Sequence, residues 1–215
     1  MGKPKLKLVP VLEVAPIRPG ADLIDQPYCV FKPAIELGEW VKETIIDPEG
    51  KLFNPDHEHL VEATIGWLWT NQENSKKGRR VVGQAEEPVF RCGKWQKARQ
   101  ELQLLQWFGD MPDFIITLDA EYCHRCSDSE LLALIEHELY HCAQSRDAFD
   151  MPKFNQDTGL PMYTMRGHDV EEFVGVVKRY GVGDPEGQLA QLVKAANCSP
   201  EISNDRIATV CGTCK

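Results

Sequence analysis

No apolar run in the 215 residues approaches the roughly 18 that a membrane span requires. Positive charge is also scarce. Lys and Arg number 24 against 33 Asp and Glu, a formal net charge of −9, whereas general nucleic-acid affinity rests on a basic surface. The one dense basic strip, Lys76-Lys77-Gly78-Arg79-Arg80, reads as a solvated loop. The opening Met1-Gly2-Lys3-Pro4-Lys5-Leu6 lacks the apolar core of a secretory leader, and Leu6 stands where a myristoylation signal has a hydroxyl residue. No repeat period or low-complexity tract is visible. These absences predict a protein of the cytoplasm with no membrane association, and with general nucleic-acid binding disfavoured. Eight cysteines in such a setting are better read as reduced thiols or metal ligands than as a disulfide framework.

The chain is long enough for one domain with a real core. Residues 1–59, with Pro4, Pro10, Pro16, Pro19, Pro27 and Pro33 near their start, read as an irregular arm with a short helix around 34–46. His57 and His59 fall near a turn and are expected to be exposed. Residues 60–183 form the expected core. Ala63, Ile65, Trp67 and Trp69 alternate as on a strand, and residues 80–85 form a second candidate broken by Gly83. Residues 94–108 have helical spacing, with Trp95, Ala98, Leu102 and Leu105 as the stripe and Gly109 as the stop. Residues 114–118 are a compact strand. A helix follows over 128–145, opened by the capping-box pair Ser127 and Glu130 and striped by Leu131, Leu132, Ile135, Leu139 and Cys142. Another runs from His168 to Gly181. A last one, in the 184–215 segment, starts at Asp184-Pro185 with Leu189, Leu192, Val193 and Ala196 as its stripe. Strands early and helices late predict an α+β fold with one small sheet.

The 128–145 helix carries His137-Glu138-Leu139-Tyr140-His141. Histidines four apart on a helix lie on one face about 6 Å apart along the axis, so their imidazoles can converge on one cation. Glu138 projects at about 100° from His137 and can serve a water on the cation's open side. Two nitrogen ligands and a general base on one rigid element are the physical content of the HExxH pattern. A catalytic zinc needs a third protein ligand and one open position. Of the six histidines, His168 opens a predicted helix and can fold back. Glu172 and Glu171 are its competitors.

His137-Glu138-Leu139-Tyr140-His141, followed by Arg166-Gly167-His168-Asp169-Val170-Glu171-Glu172-Phe173 and Lys178-Arg179-Tyr180-Gly181, resembles the putative phage metallopeptidase family, which in turn is similar to the SprT-like zinc proteases. The stretch from Pro112 to Leu118 also resembles the strand that precedes the active helix there. The resemblance implies a zincin-like α+β fold, in which a small sheet packs on the HExxH helix beside a helical C-terminal part. It implies Zn2+ held by His137, His141 and His168, with Glu138 as base and a protein or peptide as substrate. DNA-linked proteins stay open as substrates, though the acidic balance counts against them. The chain departs from the SprT-like pattern near its end, where only Cys198 and the pair Cys211 and Cys214 occur.

In that chemistry an oxyanion donor is also needed, for which Tyr163, Tyr180 and Arg166 are candidates. A carboxylate should orient a ligand histidine, for which Asp169 and Glu171 are candidates. Cys123 and Cys126, with Cys211 and Cys214, have the spacing for a second, structural four-thiolate zinc. Unliganded thiols or a redox pair are the alternatives. Cys29, Cys92 and Cys142 read as small core residues. Two rival functions share the sequence features: a zinc hydrolase acting on a non-peptide bond, and a metal-stabilised interaction protein with little turnover.

Overall fold

A computed structural model describes residues 14–76, 78–170, 174, 177, 181–202 and 211–213. Its centre is a four-stranded mixed sheet in the order β1-β2-β6-β5: β1 (Phe31–Pro33), β2 (Ile65–Thr70), β5 (Gly83–Glu86) and β6 (Phe114–Asp119). β2 and β6 run parallel with Ile65 opposite Phe114 and Thr70 opposite Asp119, while β1 and β5 add antiparallel on either side. β5 is therefore an edge. Between β2 and β5 lies a small hairpin, β3 (Asn74–Lys76) and β4 (Arg79–Val81). The basic strip is thus part of a hairpin, not a loop. Arg80 of that strip pairs with Asp119 and Glu121. Lys77 lies outside the described residues.

The period of two along a strand sends alternate residues to opposite faces. Trp67, Trp69, Phe114, Ile116 and Leu118 enter the main core on one face, while Leu68 and Ile115 form a second cluster with Leu104 on the other. The second face is covered by α3 (Lys94–Phe108), which ends at Gly109 with φ +80°, as the sequence predicts. Its packing stripe differs from the expected one. Leu104 is the buried residue, with Trp107 and Phe108 beside it, and Trp95 is 90% exposed. Trp95, Ala98, Leu102 and Leu105 also recur at helical intervals, so periodicity offered two stripes. The height of α3 against Leu68 and Ile115 selects the other.

The main core takes Leu23 of α1 (Ala21–Ile24), then Leu37 and Val41 of α2 (Ile35–Val41), and Ile45 and Ile46 of the π-helical turn Lys42–Ile46 that continues it. It also takes Leu60 at the end of the 3-10 helix Pro55–Leu60. His57 of that helix is completely buried, contrary to the exposure expected of it, against the Tyr140 ring at 4.6 Å. His59 contacts the Cys142 carbonyl at 2.8 Å. Cys29 and Cys92 are exposed rather than core residues, whereas Cys142 is buried.

Asp119 ends β6 and caps α4 (Ala120–Arg125), a short helix that the sequence pattern did not reveal, through its carboxylate and the Tyr122 amide. The following α5 (Asp128–His141) begins at Ser127 with the expected reciprocal cap. Its stripe Leu131, Leu132, Leu134, Ile135 and Leu139 is buried against the sheet. Arg18, from the proline-rich arm, ties the two helices together by donating to the Cys123 carbonyl and to Asp128.

α5 stops at His141, four residues short of the expected end, because the chain passes directly into β7 (Cys142–Gln144), which pairs antiparallel with β8 (Tyr163–Met165). α6 (Gln188–Ala196) starts at Gly187 and not at Asp184, and none of its residues is buried. The helix expected from His168 to Gly181 lies largely outside the described residues, as do Glu171, Glu172, Phe173, Tyr180 and Cys214. No helix among the described residues is long and apolar enough to cross a membrane.

Candidate metal centre

His137 and His141 occupy the last turn of α5, one turn apart on one face. The third histidine arrives through the β7–β8 pairing. Cys142 lies opposite Met165, and the Arg166 amide continues the ladder by donating to the His141 carbonyl at 2.8 Å. That register returns residue 168 to the end of the helix. The three imidazoles form a nearly equilateral triangle, with centroid separations of 5.0 Å (His137–His168), 5.1 Å (His137–His141) and 5.1 Å (His141–His168).

A fourth donor completes the group. The Cys211 sulfur is 3.1 Å from His141 Nε2, and His168 Nε2 is 3.2 Å from His137 Nε2. The four donor atoms all lie within 4.8 Å of one another. Zinc–nitrogen bonds of about 2.0–2.1 Å at tetrahedral angles place two ligand nitrogens about 3.4 Å apart, close to what is seen. His141 Nδ1 contacts the Arg166 carbonyl oxygen at 2.7 Å. Donation there fixes the neutral tautomer whose Nε2 lone pair faces the other donors. A main-chain carbonyl thus orients His141. Asp169 pairs with the Arg166 guanidinium. The donor set of three imidazoles and a thiol suits a borderline-soft divalent cation.

Glu138 is completely buried on the flank that meets β5. Oε2 receives the Thr213 hydroxyl at 3.3 Å, and Oε1 has no hydrogen-bond partner among the described residues. Burial first, then the charge of Cys211, push its carboxyl up to about 7, against the downward pull of His137 and His141 and the Thr213 hydrogen bond. A cation held by the histidines would favour the carboxylate still more.

Gly83 makes this approach feasible. A Cβ there would lie 2.7 Å from Glu138 Oε1 and 2.7 Å from Leu134 Cδ1. Both residues are buried and cannot swing aside. Gly83→Ala should therefore lower stability by about 1–3 kcal/mol, as overpacking does, and displace the carboxylate. Urea denaturation reads the first effect, and an unchanged midpoint would contradict so close a packing of α5 on β5.

The residues singled out from sequence separate as follows. His137, Glu138, His141 and His168 are brought together. Cys211 joins them and does not join Cys123 and Cys126. Among the described residues no group of three or more ligating side chains includes that earlier pair. The four-thiolate arrangement expected of Cys123, Cys126, Cys211 and Cys214 is not seen among the described residues, which do not include Cys214. Cys123 is instead sealed in the core, its thiol pushed upward chiefly by burial. Tyr163 meets Phe114 edge-on at 5.5 Å, and its charged neighbours are Asp113 and Glu62. Cys211 and Thr213 were not legible as partners of the HExxH helix, because nothing in local spacing connects residues some seventy positions apart.

The model of the family described as putative phage metallopeptidase matches residues 38–197. No curated protein and no solved structure matches the chain.

Proposed function

The chain belongs to that family, and from this premise we propose that it is a zinc-dependent peptidase acting on protein or peptide substrates. The observation that carries the reading is the convergence of His137, His141 and His168 donor atoms within the reach of one ion, beside a buried carboxylate. Three imidazoles with a fourth position that can be vacated match a catalytic zinc set. When bound, the metal would polarise the scissile carbonyl and lower the pKa of water toward 7. Glu138 would take the proton as water attacks and deliver it to the departing amine. That its Oε1 has no hydrogen-bond partner among the described residues supports this role. His141, held by the Arg166 carbonyl, would keep its ligand geometry through the cycle. The family's description adds the proposal that the chain is phage-encoded, with the host cytoplasm as its place of action.

One observation favours a second reading, a metal-stabilised interaction protein. With Cys211 included the donor set numbers four, and closed tetrahedra are characteristic of structural zinc. A structural site, however, gives no use to the carboxylate of Glu138 buried beside it.

Elemental analysis of the purified chain should find one zinc per molecule. His168→Ala should weaken zinc binding by more than about 100-fold, since even residues that only orient a ligand contribute 10–100-fold. Unchanged zinc affinity in that variant would remove His168 from the site and the proposal with it.

A further inference from the structure

Residues 211–213 lie against the exposed edge of the sheet. Cys211 bridges Gly83 in parallel, and the Gly212 amide donates to the Gly83 carbonyl at 2.8 Å. The Thr213 hydroxyl accepts from the Ala85 amide at 2.8 Å and lies 2.9 Å from the Ala85 carbonyl. The Lys76 ammonium donates to the Gly212 carbonyl at 2.8 Å. The outward main-chain groups of β5 at Gly83 and Ala85 are thus occupied in cis by a short extended segment. Edge strands are where extended peptides add by main-chain pairing. Here the edge runs beside Glu138 and the three histidines, and the segment's own thiol sits among them.

We infer that Cys211 is a fourth, displaceable metal ligand and that residues 211–213 fill the groove in which a substrate peptide pairs with β5. The inference rests on the peptidase reading for its functional sense, and on geometry for the ligand. Two features set this thiol apart from the histidines. His137 and His141 are fixed on a capped helix and His168 follows a paired strand, whereas Cys211 lies on a short extended segment that meets β5 in an isolated bridge. Thr213 also engages Glu138 Oε2, so one segment covers both the ligand position and the base. Its departure would open both at once, leaving three histidines, an empty position and a carboxylate without a cap. The groove selects an extended main chain, and the close fit at Gly212 admits little beyond a hydrogen there. A Cβ at that residue would lie 2.7 Å from Val81 Cγ1 and 2.8 Å from Gln84 Oε1.

The test uses the full chain loaded with Co2+, whose thiolate complexes show a sulfur-to-metal charge-transfer band in the near ultraviolet. The wild type should show the band. Cys211→Ala should lose it while keeping one equivalent of cobalt. Gly212→Val, which retains the thiol but clashes with Val81 and Gln84, should weaken it. A wild type without the band, or a band that survives in Cys211→Ala, overturns the ligand assignment. The groove is read separately, by anisotropy of fluorescein-labelled β-casein on zinc-loaded Glu138→Gln with and without Cys211→Ala. A segment seated at least 90% of the time reduces apparent affinity at least about tenfold, so the second substitution should tighten binding by that factor. Equal affinity in the two proteins overturns the occupied groove. Loss of the peptidase reading looks different: the band and the tightened binding persist, yet zinc-loaded Cys211→Ala leaves casein uncleaved.

Discussion

Glu138→Gln is expected to reduce hydrolysis of a protein substrate by about 10²–10⁴-fold, the range that a positioned general base contributes, with zinc content unchanged. The amide keeps the volume and can still accept the Thr213 hydroxyl, so neither packing nor the histidine triangle should suffer. What disappears is the capacity to accept a proton. The buried setting makes the substitution mild for the fold, because an amide has no charge to desolvate. Initial rates on casein and elemental analysis should be measured together, in the wild-type and the Cys211→Ala backgrounds, so that a seated segment does not mask the comparison. Retention of full activity would exclude Glu138 as the base. Loss of zinc alongside activity would assign the carboxylate to metal binding.

Phe114→Ala should be among the most destabilising single substitutions, at about 3–5 kcal/mol. Phe114 is completely buried at the start of β6, opposite Ile65 of β2, and its ring meets Tyr163 of β8 edge-on at 5.5 Å. Truncation removes a large apolar surface and leaves a void between the sheet and β8. Native stabilities of about 5–15 kcal/mol leave little margin for such a loss. The consequence extends to the site, since Tyr163 lies in the strand whose register returns His168 to α5. Guanidinium denaturation should show the loss of stability, and zinc affinity should fall with it. Trp95→Ala, which removes a larger side chain from α3 at a position 90% exposed, should change stability by no more than about 0.5 kcal/mol. Equal effects of the two substitutions would contradict the assignment of the core.

The helix with the HExxH pattern was legible because everything that makes it is local. Ser127 and Glu130 cap it, the apolar positions recur at helical spacing, and the histidines share a face by geometry alone. β6 was equally legible, as a short β-branched and aromatic run ahead of a capping aspartate. α3 was placed correctly but turned to the wrong stripe, since its apolar residues extend round much of the helix and only Leu68 and Ile115 decide which of them is covered. The end of α5 was overextended because Cys142, Ala143 and Gln144 have no helix-breaking residue; pairing with β8 overrides their helical spacing. His57 was expected at the surface because it sits beside a turn, and it is buried because the 3-10 helix packs on α5.

By itself the sequence determined an α+β chain with a capped helix presenting two imidazoles and a carboxylate, because capping and periodicity act over a few residues and do not need the rest of the fold. It also carried the residues by which membership in a metallopeptidase family is recognised. Only the tertiary structure decided that Cys211 stands with the histidines and not with Cys123 and Cys126, that a main-chain carbonyl orients His141, and that β5 is an edge with a segment laid along it. Those outcomes depend on strand register and on chain closure over many residues, where a shift of one position would send each side chain to the opposite face, and local spacing carries no record of either.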